Sequence, residues 1–306
     1  IHIKSETDVI LDKGELIAST IFPNLSSATH VFILCTGDIA YSGSEAEYKA
    51  AHSLLIKIKN TLQKETRCPI DIIVLPGNHD CNFKNAKSFR KTVIEDLERK
   101  DINLVDDDVI NELASIQNEF FAFQSTIETH EPLEQDKLWR TYIFEVEEKT
   151  VTFDCLNVSW ISKLKEEPGK LSFPIERYIS KKERSTDVRV VTMHHPLNWY
   201  SQNIYKSFRT FIRTIGNIVI TGHEHQSNVG INQDKQTDTS AFVEGSVLQE
   251  SSTSIENSSF NITVIDLERS QFRFSQYNWN GSIYQENADG SWLDYRDLPS
   301  KQTNPF

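Results

Sequence analysis

Four short apolar runs, none longer than a strand, each lead into a segment rich in glycine, histidine and acid or amide side chains. Residues 31–36 lead into Gly37-Asp38-Ile39-Ala40-Tyr41-Ser42-Gly43, and residues 70–75 into Gly77-Asn78-His79-Asp80. Val188–Met193 leads into His194-His195-Pro196, and residues 217–221 into Gly222-His223-Glu224-His225. Runs this short and this rich in Val, Ile and Leu, bounded by Gly or Pro, predict strands buried on both faces. Residues 44–64 predict a helix between the first two. Ser44 is placed to cap it with Glu47 three residues on, and Ala51, Leu54, Leu55 and Ile58 follow at helical spacing. Residues 10–22 predict an earlier crossover helix. The pattern is that of an α/β domain with chemistry gathered at strand ends.

Elsewhere the organisation is coarser. Residues 84–127 carry helical periodicity, with Val109, Leu113, Ile116, Phe120 and Phe123 as the apolar stripe. Residues 141–146 and 151–158 predict a strand pair, and residues 205–214 a helix. The last third is strand-rich over 241–244, 260–266 and Gln271–Trp279, with a surface loop over 251–259. This divides the chain into a domain over residues 1–280, with a helical segment at 83–138, and an irregular tail or linker at 281–306. The chain starts at Ile1 and its one methionine is Met193, which predicts a longer parent chain.

Composition narrows the function classes. No apolar run reaches the roughly 18 residues of a membrane span, so no membrane partner is expected. The net charge of −12 works against sequence-blind binding of nucleic acid, which depends on Lys and Arg at phosphates. A local basic groove would still permit it. Four cysteines in 306 residues do not make a disulfide framework, which favours a reducing, cytoplasmic setting.

The strand-end segments supply a consistent donor set. Asp38 offers a carboxylate able to bridge two cations, and Asn78 a neutral amide oxygen. His194, His223, His225 and His2 offer imidazole nitrogens. Such a mixture suits Mn, Fe, Zn or Co, whereas Mg and Ca prefer oxygen shells. Each segment alone has a bland explanation: Gly-Asp is a common turn, and Gly-His-Glu-His suits a surface loop. Together they hold five of the nine histidines, which structural accident explains poorly.

In this order the segments resemble the calcineurin-like metallophosphoesterase superfamily, whose pattern is D-x-H, G-D, G-N-H-D/E, a later H, and G-H-x-H. The resemblance runs from residue 1 to about residue 230, and four of the five motifs match in full. The first is met only by His2, so the resemblance implies an Asp directly before Ile1 in the parent chain. It also implies an αββα sandwich of two mixed β-sheets flanked by helices. By position, one divalent metal ion would be held by His2, Asp38 and His225, with that Asp. The second would be held by Asp38, Asn78, His194 and His223. Manganese is expected first, with iron, zinc, nickel or cobalt as alternatives. His79 corresponds to the family's catalytic imidazole and Asp80 to the group that orients it, while His195 would face the substrate or support a ligand. Trp199 and Tyr200, just after His194-His195-Pro196, either stack on a substrate ring or pack beneath their loop.

The implied activity is hydrolysis of a phosphodiester or phosphomonoester by a bridging hydroxide on two metals. Small phosphodiesters and nucleotides rank ahead of nucleic acid. The competing function is a non-catalytic scaffold or effector module within a larger multidomain protein. Retention of nearly every ligand favours the enzyme.

Overall fold

The computed structural model describes residues 1–99, 101–225, 228–233, 239–249, 258–288 and 290–295. Part of the loop read over 251–259, and residues 296–306 of the tail, lie outside them. Helix α1 (Gly14–Leu25) follows a 3₁₀ turn at Val9–Lys13, and strand β1 (Val31–Cys35) comes next. Helix α2 (Glu45–Glu65) then crosses to β2 (Ile70–Val74), which pairs with β1 in parallel. The capping box at Ser44 forms as its sequence predicts, and Ala51, Leu54, Leu55 and Ile58 are buried.

Helices α3 (Arg90–Leu97), α4 (Asp107–Ala114) and α5 (Asn118–Ile127) precede the large sheet. That sheet takes β3 (Glu134–Gln135), β4 (Trp139–Val146), β5 (Lys149–Leu156) and β6 (Val188–Met193). After helix α6 (Gln202–Ile215) come β7 (Ile218–Thr221), β8 (Asn228–Gln233) and β9 (Thr239–Glu244). Its order is β3-β4-β5-β6-β7-β9-β8, with β5, β6, β7 and β9 parallel. The strands β10 (Ser259–Asp266), β11 (Gln271–Trp279), β12 (Tyr284–Ala288) and β13 (Trp292–Asp294) form an antiparallel sheet.

Alternation along the strands sorts the apolar side chains into three layers. Ile72 and Val74 of β2 pack with α1 and α2, while Ile73 and its neighbour Leu75 point the other way, into the space between sheets. There they meet Phe153 of β5, Val190 of β6, Ile218 of β7 and Phe272 of β11. On the far side of the large sheet, Val191 and Met193 pack against Phe208, Phe211 and Ile212 of α6. The order is helix, sheet, sheet, helix, the αββα sandwich.

Two differences from the sequence reading have clear physical causes. The β4–β5 hairpin turns on only Glu147 and Glu148, with φ of 51° and 64°, as a tight hairpin turn requires. Neither residue is the Asn or Gly that marks such turns. The helical segment at 83–138 is broken into short helices tied into the rest of the fold. Arg90 ties α3 to the carbonyl oxygens of Trp160 (2.8 Å) and Ser162 (2.7 Å). Helix α5 belongs to the core: Phe123 stacks on Tyr48 of α2 at 5.1 Å, and Phe120 is fully buried beside it. Phe120→Ala should therefore cost about 3–5 kcal/mol in chemical denaturation. A loss below about 1 kcal/mol would mean that α5 is not part of the core.

Among the described residues, no helix is long and apolar enough to cross a membrane. All four cysteines are free, and Cys35, Cys81 and Cys155 are buried.

Candidate metal centre

The carboxyl ends of β1 and β2 meet those of β6 and β7, and this convergence places the four segments together. Ligands commonly gather at such strand ends because the turns that follow are free to carry functional side chains. The turns here are tight. A Cβ on Gly37 would strike His194 Nδ1, and one on Gly77 would strike the Asp38 carboxylate. Gly37 also has a φ of 98°. Seven non-glycine described residues have positive φ, and four of them are His2, Asp38, His223 and His225. The other three lie in turns, at Glu147, Glu148 and Ser270. Backbone strain is therefore concentrated at this cluster, as it commonly is at functional sites.

Asp38 lies at the middle. Its Oδ1 accepts the His79 backbone N–H at 2.9 Å. Its Oδ2 is 3.0 Å from His2 Nε2 and 3.2 Å from His194 Nε2. Asn78 Oδ1 in turn lies 3.0 Å from His194 Nε2 and 3.1 Å from His223 Nδ1. The His225 ring is 5.0 Å from that of His2. His2 and His225 thus lie on one side of Asp38, and Asn78, His194 and His223 on the other.

The hydrogen bonds fix one tautomer. His194 Nδ1 faces the Thr36 carbonyl oxygen at 2.7 Å, so Nδ1 must donate. In a neutral ring this leaves a lone pair on Nε2, directed at two further acceptors, Asp38 Oδ2 and Asn78 Oδ1. Acceptors this close repel unless a proton or a cation sits among them. Burial opposes charge on His194, but the Asp38 carboxylate and the Thr36 carbonyl together raise its pKa. Burial would likewise raise the Asp38 carboxyl, yet His194 and His2 hold it well below the usual range. Burial, with the neighbouring rings, pushes His223 down to about 2 and His225 to about 4. These rings are neutral near pH 7, the form that binds a metal. The chemistry of the donor set therefore fits divalent cations. Two groups each have donor atoms within 4.8 Å of one another: His2, Asp38 and His79, and His194, His195 and His223.

Asp80 departs from its expected role. Its buried carboxylate does not meet the His79 ring. It accepts the backbone N–H of Gly77 (2.8 Å), Ala40 (2.9 Å) and Ile39 (3.2 Å), and the Tyr48 hydroxyl at 2.9 Å. Asp80 thus clamps the Asp38 loop to the Asn78 loop. Burial, and then the nearby Asp38 charge, raises its pKa. His79 is instead oriented by a backbone group: its Nδ1 donates to the Tyr41 carbonyl oxygen at 2.9 Å.

His195 is fully buried, and its Nε2 faces Glu166 Oε2 at 2.9 Å. Burial lowers the pKa of the ring, and its hydrogen bond lowers that of Glu166 against the opposing effect of desolvation. Trp199 lies edge-on to His223 at 4.2 Å and donates its Nε1–H to Glu224 at 2.6 Å. Tyr200 is not brought to the cluster. It packs on Phe208 with its hydroxyl on Met193 Sδ, because the turn after Pro196 directs it into the outer core. Sequence reasoning missed Glu166, which sits in a coil with no periodic signal, and the clamp from Tyr48.

The parallel β1–β2 pair and the large mixed sheet, flanked by helices and with His, Asp and Asn side chains gathered where their strand ends meet, define an α/β fold with a candidate metal centre. The model of the calcineurin-like phosphoesterase family matches residues 16–227, and the chain belongs to that family. His2 lies outside the matched stretch. No curated protein matches this chain. Solved structures to which the chain is similar include a Vps29 from Entamoeba histolytica complexed with zinc. It is 12% identical, with 90% of this chain and 88% of that chain covered and a TM-score of 0.33. Vacuolar Protein Sorting 29 from Cryptosporidium parvum is 11% identical over 90% of this chain and 88% of its own, at 0.35. A PhoD structure is 9% identical over 95% and 70%, at 0.47.

Proposed function

We propose that this protein is a phosphoesterase working with two divalent cations, manganese first among them, on small phosphodiesters or nucleotides. The convergence of metal-ligating side chains carries this proposal: Asp38 Oδ2 lies between His2 Nε2 and His194 Nε2, and Asn78 Oδ1 between His194 Nε2 and His223 Nδ1. Asp38 would serve both positions, with His2 and His225 on one side and Asn78, His194 and His223 on the other. The high share of imidazole favours manganese, iron, zinc, nickel or cobalt over magnesium. Bound there, the cations would polarise the phosphate oxygens and lower the pKa of a water ligand.

The remaining work falls to the chain. His79, anchored through Nδ1, presents Nε2 to the substrate, where its protonated form would donate to the departing oxygen. Asp80 keeps the loops of Asp38 and Asn78 in register, and Glu166 holds His195 against His223. Glu224 and the acidic balance of the chain work against a polyanion.

Removal of metal gives the direct test. Chelation should abolish turnover of a generic phosphodiester and phosphomonoester, and manganese should restore it, with nickel, cobalt and magnesium as comparisons. Full turnover by a chelated, metal-free protein would overturn the proposal.

A further inference from the structure

Beside His79, the rim carries an aromatic ring and an ammonium group with no part in the chemistry above. Tyr41 is 48% exposed, and its ring centroid lies 5.5 Å from that of His79. Lys4 Nζ lies 5.0 Å from the centre of the same ring. An exposed tyrosine alone says little, since folded surfaces carry many apolar atoms. The backbone of this one, however, is held firmly. Tyr41 N donates to the Ile3 carbonyl oxygen at 3.0 Å, and the Tyr41 carbonyl oxygen receives His79 Nδ1. The next residue, Ser42, donates both its N–H (2.9 Å) and its hydroxyl (2.8 Å) to Glu47 of α2. The loop thus fixes the ring's origin and leaves its side chain in water next to His79.

We propose that Tyr41 and Lys4 form the leaving-group subsite, and that it selects phosphoesters whose departing alcohol carries a planar heteroaromatic ring, as a nucleotide does. The proposal rests on the phosphoesterase function above. A proton passed from His79 Nε2 must reach the departing oxygen within hydrogen-bond distance. Whatever that oxygen carries is then brought alongside Tyr41. A ring stacked there gains contact that an aliphatic alcohol does not, and the choice among bases is loose, because every base offers a π-face. Lys4 supplies local positive charge for a substrate that remains anionic. The opposite rim suits this end of the substrate less well, because Trp199 is tied to Glu224, whose carboxylate repels anionic groups.

The test is binding to the manganese-loaded 306-residue chain, comparing adenosine monophosphate with ribose phosphate, with every variant made in the His79→Asn background so that slow turnover leaves both ligands intact. Calorimetry should show the adenine-bearing ligand bound more tightly by about 5- to 150-fold, the range a stacked base provides. Tyr41→Leu should remove most of that preference, with at most about a twofold change for ribose phosphate, and Tyr41→Phe should keep it. Equal affinity for the two ligands with Tyr41 in place, or a preference that survives Tyr41→Leu, would overturn the subsite. If the loaded protein bound neither ligand, the phosphoesterase function would fail, and the subsite with it. Binding of both without preference would remove the subsite alone.

Discussion

Asp38→Asn should reduce phosphoesterase turnover by at least about 10²-fold and lower the metal content, while leaving the fold nearly intact. Loss of a group that merely supports a metal ligand typically costs 10- to 100-fold, and Asp38 contacts both halves of the cradle directly. The substitution separates its two roles. The asparagine oxygen can still accept the His79 N–H that Asp38 Oδ1 receives at 2.9 Å. The amide nitrogen, however, would replace Oδ2, 3.0 Å from His2 Nε2 and 3.2 Å from His194 Nε2. A neutral N–H donor can satisfy those imidazole lone pairs but cannot bridge cations. The thermal midpoint of the chelated variant should therefore stay close to that of the chelated parent. Metal content by elemental analysis should fall together with turnover. Unchanged metal content would show that Asp38 is not shared between the cations. An unfolded variant would show that its hydrogen bonds to the loops outweigh any role toward metal.

What could be read from the sequence reflects the kind of information each feature needs. The strand-end segments were legible because short apolar runs fix strands, and strand ends fix where the next few side chains go. The capping box at Ser44 was legible because its partners lie three residues apart. Position along the chain does not say which way a side chain turns. Asp80 was expected to reach His79, its neighbour in sequence, but the loop sends its carboxylate inward to the N–H groups of Gly77, Ile39 and Ala40. Tyr200 beside Trp199 turns into the core for the same reason. Glu166 reaches His195 across 29 residues, a pairing only the tertiary fold makes. The positive φ values of His2, Asp38, His223 and His225 were equally hidden, since sequence alone points to glycine for that conformation. Strand β12 escaped because Gln285, Glu286 and Asn287 are polar and exposed, and β13 because it is only three residues long. They are held by pairing to β11 and by Tyr284, which packs against Phe260.

His79→Asn should separate proton transfer from metal binding. The backbone N–H of residue 79 still reaches Asp38 Oδ1, so the bridge stays oriented, and His2, Asn78, His194, His223 and His225 are untouched. Metal content should persist while turnover drops about 10²–10⁴-fold, the usual value of a positioned proton donor. The alternative is concrete, because His79 lies 4.6 Å from His2, ring to ring, and belongs to one of the two close donor groups. If the variant lost a metal ion, His79 would be a ligand and the acid would have to be found elsewhere. The leaving group provides a second discrimination. An aryl oxide departs without a proton, whereas an alkoxide needs one. The loss on an alkyl phosphodiester should therefore exceed the loss on an activated aryl ester by at least about tenfold. Equal losses on both would mean that His79 stabilises charge on the phosphate rather than protonating the departing oxygen.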